Sequence, residues 1–344
     1  MKFRQPGGFE DRSARIAEAV AGHSAATSAD QAITSEILVS VVITCYNQAC
    51  YLAEAIQSCV NQTHRKTELI VVDDGSTDET AAVAGRFSQI RYFWQENQGV
   101  SVARNAGLDV SKGTYVVFLD ADDRLLPNSI EDSLECFRMH PSCSLVVGRY
   151  RKIAADGSPI SPPNRMCGAR DFYCALLKAN VIGMHGAVLY RRATLRKVGG
   201  FDRRFRASED YDIALRIARN FDVQEHDNLV AEYRWHDQNM SWDYEFMLKD
   251  ALTALRAQLP HAKAVPKYEE AFRIGMANWR RHYSSLILAD VTKEIRARGF
   301  RLQVLRRTLS LGRTDPALMP AIARRGWFHV WSRLLKPRPT GSMR

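Results

Sequence analysis

The stretch LVSVVITCYNQACYLAEAIQSCVNQTHRKTELIVVDDGSTD, residues 38–78, decides the fold. LVSVVIT (38–44) is a nearly continuous run of β-branched and apolar residues, the composition of a strand covered on both faces. YLAEAIQSCVNQ (51–62) spaces its apolar residues as a helix does, and ELIVVD (68–73) is a second buried strand that stops at DDGSTD. The rhythm continues with the helix DETAAVAGRF, the strand IRYFWQ, the helix GVSVARNAGLDV and the strand TYVVFLD. Strands that alternate with helices and are almost unbroken in hydrophobicity predict a mostly parallel sheet with helices on both faces, an α/β fold.

The following part is less regular. A helix over about 127–140 and a strand over about 143–151 lead into the long loop ADGSPISPPNRMCGARD. AVLYRRATLRKVGGFD predicts a strand, a short helix and a Gly-Gly turn; SEDYDIALRIARN predicts a helix with Ser208 as N-cap, and NLVAEYRWH a last strand. Three regions result: a flexible arm over 1–36 with at most one short helix near DRSARIAEAVA, an α/β domain over 37–244 with halves 37–124 and 125–244, and a helical extension over 245–344. Of the formal charge of +10, the excess lies in that extension, which holds 20 Lys and Arg against 7 Asp and Glu, whereas residues 1–244 hold 28 against 31. The seven cysteines have no zinc-like spacing and read as reduced thiols of a cytoplasmic protein. No apolar run reaches the roughly 18 to 20 residues of a membrane span.

Ligands of open parallel sheets bind outside the carboxyl ends of the strands. Here those ends are polar: TCYN, DDGSTD, QENQG and DADD. Together they would place Thr44, Tyr46, Asn47, Asp73, Asp74, Asn97, Asp120 and Asp122 around one crevice. Turn formation alone accounts for any single end but not for four. Two carboxylates one residue apart, as in DADD, suit a divalent cation with hard oxygen ligands and room left for phosphates. There is no GxGxxG after the first strand and no GxxxxGK[ST], which removes the main warrant for a dinucleotide oxidoreductase or a P-loop NTPase.

The run from VSVVITCYNQ to VVDDGSTDET, followed by ENQGVSVARNAGLDVSKGTYVVFLDADD, resembles the amino-terminal half of a family 2 glycosyltransferase of the GT-A fold, with the likeness spanning roughly residues 38–240. The resemblance implies an inverting transfer of one sugar from a nucleoside-diphosphate sugar, UDP-sugars favoured, with Mg2+ or Mn2+. It places Thr44, Tyr46 and Asn47 in the nucleotide pocket with Asp73 at the base edge, Asp74 and Gly75 in the turn beneath, and Asn97 and Gly99 in the third strand-end loop. Arg104 would face the diphosphate or the sugar, Asp120 the ribose and metal, and Asp122 the metal, with His236 of YRWH joining it. SEDYD matches the acceptor-side ED motif, so Asp210 is the expected base and Glu209 an acceptor-orienting residue. His185 and Trp235 are candidates for the acceptor cleft, though core packing explains both equally well. Processive synthases of the family carry QxxRW; here AEYRW puts Ala231 where the Gln would stand, which favours single addition.

The expected acceptor is a glycan or a lipid-linked glycan. In the extension, Trp327, Phe328, Trp331, Leu334 and Leu335 lie among Arg324, Arg325, Arg333 and Lys336. That composition suits contact with an anionic membrane surface at its cytoplasmic face, or a solvated face packed on the domain or on another subunit of an oligomer. No nucleic-acid motif accompanies the charge, so nucleic acid is not expected as a partner. The competing function class is a non-catalytic module of the same fold that binds nucleotide or scaffolds a glycan-assembly complex; a binding module has no need of an aimed base, which favours the enzyme.

Overall fold

The computed structural model describes residues 36–298 together with Arg307. The short helix expected near DRSARIAEAVA and the basic aromatic segment 324–336 lie outside the described residues.

The sheet begins with β1 (Val39–Cys45), whose seven residues are all buried, flanked by β2 (Thr67–Asp73), β3 (Ile90–Trp94) and β4 (Tyr115–Asp120). These four run parallel in the order β3-β2-β1-β4. Their crossovers carry α1 (Ala49–Val60), α2 (Thr80–Ala84) and α3 (Val100–Val110). Register sets the site: Thr44 pairs with Asp120, and Cys45 with Asp73, which in turn pairs with Trp94. The carboxyl ends of all four strands are therefore level on one rim.

The sheet continues through β7 (Val188–Arg191), antiparallel to both β4 and β6 (Leu145–Ala154), then through β8 (Val223–Trp235), parallel to β6, and ends at the two-residue β5 (Arg124–Leu125). Because strand side chains alternate, Val41 and Ile43 enter one core with Leu52 and Ile56 of α1 and Ile130 of α4 (Ser129–Met139), while Val42 enters the other. The second core also takes Phe118 and residues of α5 (Phe172–Lys178), α7 (Glu209–Ala218), α8 (Tyr244–Ala257) and α10 (Pro266–Arg298). The expected α/β sheet covered on both faces is what the chain forms.

Three local features depart from the sequence reading. Helix α5 was not anticipated; it is short, and Asp171 caps it by accepting from the Cys174 amide at 2.9 Å. Strand β8 starts at Val223 rather than near Asn228, because its polar first half carries no apolar run and is recognised only through pairing with β6. Ser208 precedes α7 but makes no side-chain cap; Asp250, on α8, caps this turn from outside. The short α6 (Arg192–Lys197) ends at Gly199 and Gly200, both left-handed, as the Gly-Gly turn implied.

From residue 244 to 298 the described helices stay packed against the domain. Ala254, Leu255 and Ala271 belong to the second core, and α8 and α10 close a further cluster of Leu248, Leu252, Tyr283, Ile287, Leu288 and Val291. α9 (Leu259–Ala262) makes the corner between them. At Gly275 the backbones meet so closely that a Cβ would lie 1.9 Å from the carbonyl oxygen of Leu177 on α5. Gly275→Val should therefore force α10 off α5 and destabilise the protein by about 3 kcal/mol in a urea melt. An unchanged midpoint would mean that α10 is not seated there.

Candidate active site

The first strand ends in a turn whose strain identifies it. Asn47 is the only described non-glycine residue with positive φ, at 53°. Its amide donates to Ser76 Oγ at 2.9 Å, and its Oδ1 accepts from the Thr77 amide at 2.8 Å, so the first and second strand ends are laced together. Tyr46 beside it is half exposed, its ring open to a ligand.

The two aspartates that end β2 are both buried. Asp73 accepts from the Ser76 amide at 2.8 Å and from Tyr92 Oη at 2.6 Å. Asp74 accepts from Gln95 Nε2 at 2.6 Å, the Gln98 amide at 3.0 Å and the Gly99 amide at 2.8 Å, thereby clasping the start of α3. Gly75, at φ 81°, lies so close to Asn97 that a Cβ would come within 2.7 Å of its amide nitrogen. Gly99, at φ 93°, opens α3.

Five residues into that helix, the Arg104 guanidinium is 2% exposed and bridges two elements: it donates to Asp120 Oδ1 at 2.5 Å and to Glu209 Oε1. Burial alone would lower its pKa, but the paired carboxylates of Asp120 and Glu209 outweigh that and hold it above the ordinary arginine value. Asp120 also accepts from Thr44 Oγ1 at 3.1 Å, and 40% of its side chain remains exposed to the crevice. Glu209 is itself buried, so it faces Arg104 rather than an open acceptor cleft. His185 is buried behind this pair, with Nδ1 2.9 Å from Tyr190 Oη and Nε2 4.0 Å from Glu209 Oε1. Burial, then the nearby Arg104, keeps its imidazole neutral by pushing its pKa well below the usual range.

Asp210 is next to Glu209 but only partly buried. Its carboxylate accepts from the Tyr211 amide at 2.6 Å and from Asn180 Nδ2 at 3.1 Å. Burial, then the charge of Glu209, pushes its pKa up to about 7. The turn that aims it is held by Asp250, whose Oδ2 accepts from the Arg206, Ala207 and Ser208 amides at 3.1, 2.9 and 3.2 Å.

The DADD turn is fixed from below by Arg234, 1% exposed on β8. Its Nε donates to the Asp122 carbonyl at 2.7 Å, one terminal nitrogen to the Ala155 carbonyl at 2.8 Å and the other to Glu54. Buried Asp123 accepts from the Arg234 amide at 2.8 Å; burial, then Asp122 and Asp120, raises its pKa well above the carboxylate range. The Asp122 side chain meets His236 Nε2 at 2.9 Å.

Among the described residues no three His, Cys, Asp or Glu side chains are grouped to hold an ion. The pair of Asp122 and His236, with exposed Asp120 two residues away, nevertheless fits a cation that takes one or two protein ligands and fills its remaining positions with phosphate oxygens and water. The sequence reading singles out Asp120, Asp122, Asp210 and His236; it gives no role to Arg234, Asp123, Asn180 and Asp250. An arginine inside a buried strand was the available signal for Arg234; the acidic residue at mid-helix 250 carried none.

Residues 40–199 match the family model described as Glycosyl transferase family 2. Over that stretch the chain is similar to the family 2 glycosyltransferases. The match includes Asp73, Asp120 and Asp122, and stops before Asp210 and His236. An uncharacterized glycosyltransferase of Rickettsia conorii is 32% identical over 211 residues, covering 59% of this chain and 35% of that protein. The chain spans between about a third and just under two thirds of the length of such curated relatives, 32% of one from Rickettsia bellii and 64% of one from Rickettsia typhi. Among solved structures, S. aureus TarS 1-349 in complex with UDP aligns over 86% of this chain and 88% of its own, with 19% identity and a TM-score of 0.56. The mannosyltransferase PcManGT from Pyrobaculum calidifontis, in complex with GDP-Man and Mn2+, aligns over 86% and 87%, with 19% identity and a TM-score of 0.54. Those two likenesses establish the GT-A fold.

Within this domain, Asp250→Ala strips the acceptor from three amides at once and should cost on the order of 2–3 kcal/mol in chemical denaturation. Asp250→Asn, which keeps an acceptor oxygen, should recover at least half of that loss.

Proposed function

We propose that this protein is an inverting, metal-dependent glycosyltransferase that moves one sugar from a nucleoside-diphosphate sugar, UDP-sugars favoured, to a hydroxyl of a glycan or glycolipid acceptor. The observation that carries this reading is the bridge through Arg104: one guanidinium pairs the strand-end carboxylate Asp120 with Glu209 of the ED pair, which brings the donor-side strand end beside the helix that carries Asp210. The UDP complex of TarS and the GDP-Man and Mn2+ complex of PcManGT support the donor class and the metal.

In this reading the nucleoside lies over the first two strand ends, with the Tyr46 ring against the base and the Asn47–Ser76–Thr77 lacing holding the loop beneath it. Asp122 and His236 would hold the cation, which when bound offsets the negative charge that develops on the departing diphosphate. Arg104 keeps Asp120 turned toward the donor and pairs with Glu209 beside Asp210. Asp210 takes the proton of the acceptor hydroxyl as that oxygen attacks the anomeric carbon opposite the leaving group. A carboxylate with a pKa of about 7 is a stronger base than an ordinary aspartate and is still half ionised near neutrality.

Titration calorimetry tests the donor side. UDP or GDP should bind in the presence of Mn2+, and Asp122→Ala should weaken that binding at least tenfold while the protein remains folded. Absence of binding by every nucleotide tried would sink the enzyme reading.

The base is tested by pH. Because only ionised Asp210 accepts a proton, turnover should rise as pH increases through about 7, and Asp210→Asn should lower kcat by about a hundredfold or more. Stability should move the other way. A carboxyl whose folded pKa is raised contributes most below its unfolded value near 4, and that contribution is lost as pH rises through 7. Asp210→Asn should therefore gain stability relative to wild type at pH 8, by on the order of 1 kcal/mol, with the gain shrinking at pH 4.

A further inference from the structure

We propose that the face of β6 and β8 between Asp210 and Trp242 receives an acceptor bearing an anionic group, a carboxylate or a phosphate, close to the sugar being extended; this rests on the transferase reading above. Parallel register pairs Tyr150 with Ala231, Lys152 with Tyr233, and Ala154 with Trp235. Since side chains alternate along a strand, Tyr150, Lys152, Tyr233 and Trp235 share one face. That face lies between the two halves of the chemistry. Tyr150 feels the charge of Asp210, and Tyr233 feels the charges of Asp123, Asp122 and Asp120; burial first, then those charges, raises both phenols.

Lys152 is the telling residue. Its Nζ sits 3.8 Å from the centroid of the Trp235 ring, yet it has no hydrogen bond or ion pair with any described residue. Its neighbour Arg151 is paired with Glu232, and so is Arg124. Partial burial lowers the ammonium pKa, so the cation is partly stripped of water without receiving an anion in return. A ligand anion can pair with it without breaking any existing bond.

The outer end of the face is built for a sugar ring. Trp242 packs edge-on against Trp235 with centroids 5.1 Å apart and is 43% exposed. Its indole N–H donates to the His236 carbonyl at 2.7 Å, which fixes the ring while leaving a face open. A rigid, partly wet aromatic beside an unpaired cation matches a charged saccharide: apolar C–H groups on the ring, the anion on Lys152.

Tryptophan fluorescence titration of the full chain tests this with three probes: an oligogalacturonate, an oligomer of glycerol phosphate, and neutral chitotetraose. At least one anionic probe should bind more tightly than the neutral one. Lys152→Met should weaken that binding about tenfold, and Lys152→Arg should restore most of it, while UDP binding with Mn2+ is unchanged in both. Whichever anionic probe binds identifies the source as carboxylate or phosphate. Equal binding of all three probes, or anionic binding that survives Lys152→Met, overturns the proposal. So does absence of saccharide binding in a protein that still binds UDP; loss of UDP binding as well removes the transferase reading from which the proposal starts.

Discussion

The placement of every group in the crevice depends on one buried cation. Arg104 comes from α3, in the half that follows the second strand, and reaches across to Asp120 at the end of β4 and to Glu209 at the start of α7. A guanidinium with 2% exposure is tolerable only with its charge paired, because an isolated buried charge costs several kcal/mol. The pairing therefore works as a constraint: the chain cannot bury Arg104 without bringing β4 and α7 together. Asp74 extends the constraint backward by fixing the amide of Gly99 where α3 begins, so the end of β2 is connected through α3 and Arg104 to Glu209, the neighbour of Asp210.

A second buried guanidinium does for the DADD turn what Arg104 does for the ED motif. Arg234 binds main-chain carbonyls of Asp122 and Ala155, and its own amide binds Asp123. The third carboxylate of the turn is thus consumed in structure, while Asp120 and Asp122 keep oxygens toward the crevice. Three carboxylates so close would repel one another if all were ionised, and Asp123 avoids this by its raised pKa. Burial separates the neighbours: Asp123 is enclosed with other carboxylates, whereas Asp120 is open and paired with a cation.

What the sequence made legible was whatever depends on local pattern. Apolar runs announce strands buried on both faces, and polar residues at their ends fall level on one rim because parallel register leaves no other arrangement for Thr44, Asp73 and Asp120. Direction was harder to read. Glu209 and Asp210 are adjacent in an ED pair, but successive residues on a helix point about 100° apart, so one turns inward to Arg104 while the other borders the crevice. His185 stays open in the sequence between the acceptor cleft and the core, since nothing local indicates that it is sealed behind Glu209. Asp250 and Arg234 act over separations of 42 and 112 residues, on Ser208 and Asp122, and such contacts leave no trace in hydrophobic period or turn chemistry.

The same distance effect changes the status of the helices after residue 244. By composition they read as an extension, yet the turn before Asp210, the proposed base, is held from their side. Asp250 on α8 gathers the amides that precede α7, and Trp279 on α10 donates to Tyr211 Oη at 3.3 Å, which in turn donates to the Leu176 carbonyl at 2.6 Å. Helix α7 is thus gripped at its first turn and along its back, by elements that contribute nothing to the strand ends. A carboxylate can act as a base only if it is aimed within a few tenths of an ångström, and a single turn of helix on a sheet rim lacks that rigidity by itself. The parallel sheet supplies the rim of strand ends; the packing of α8 and α10 stiffens the helix that carries Asp210 beside it.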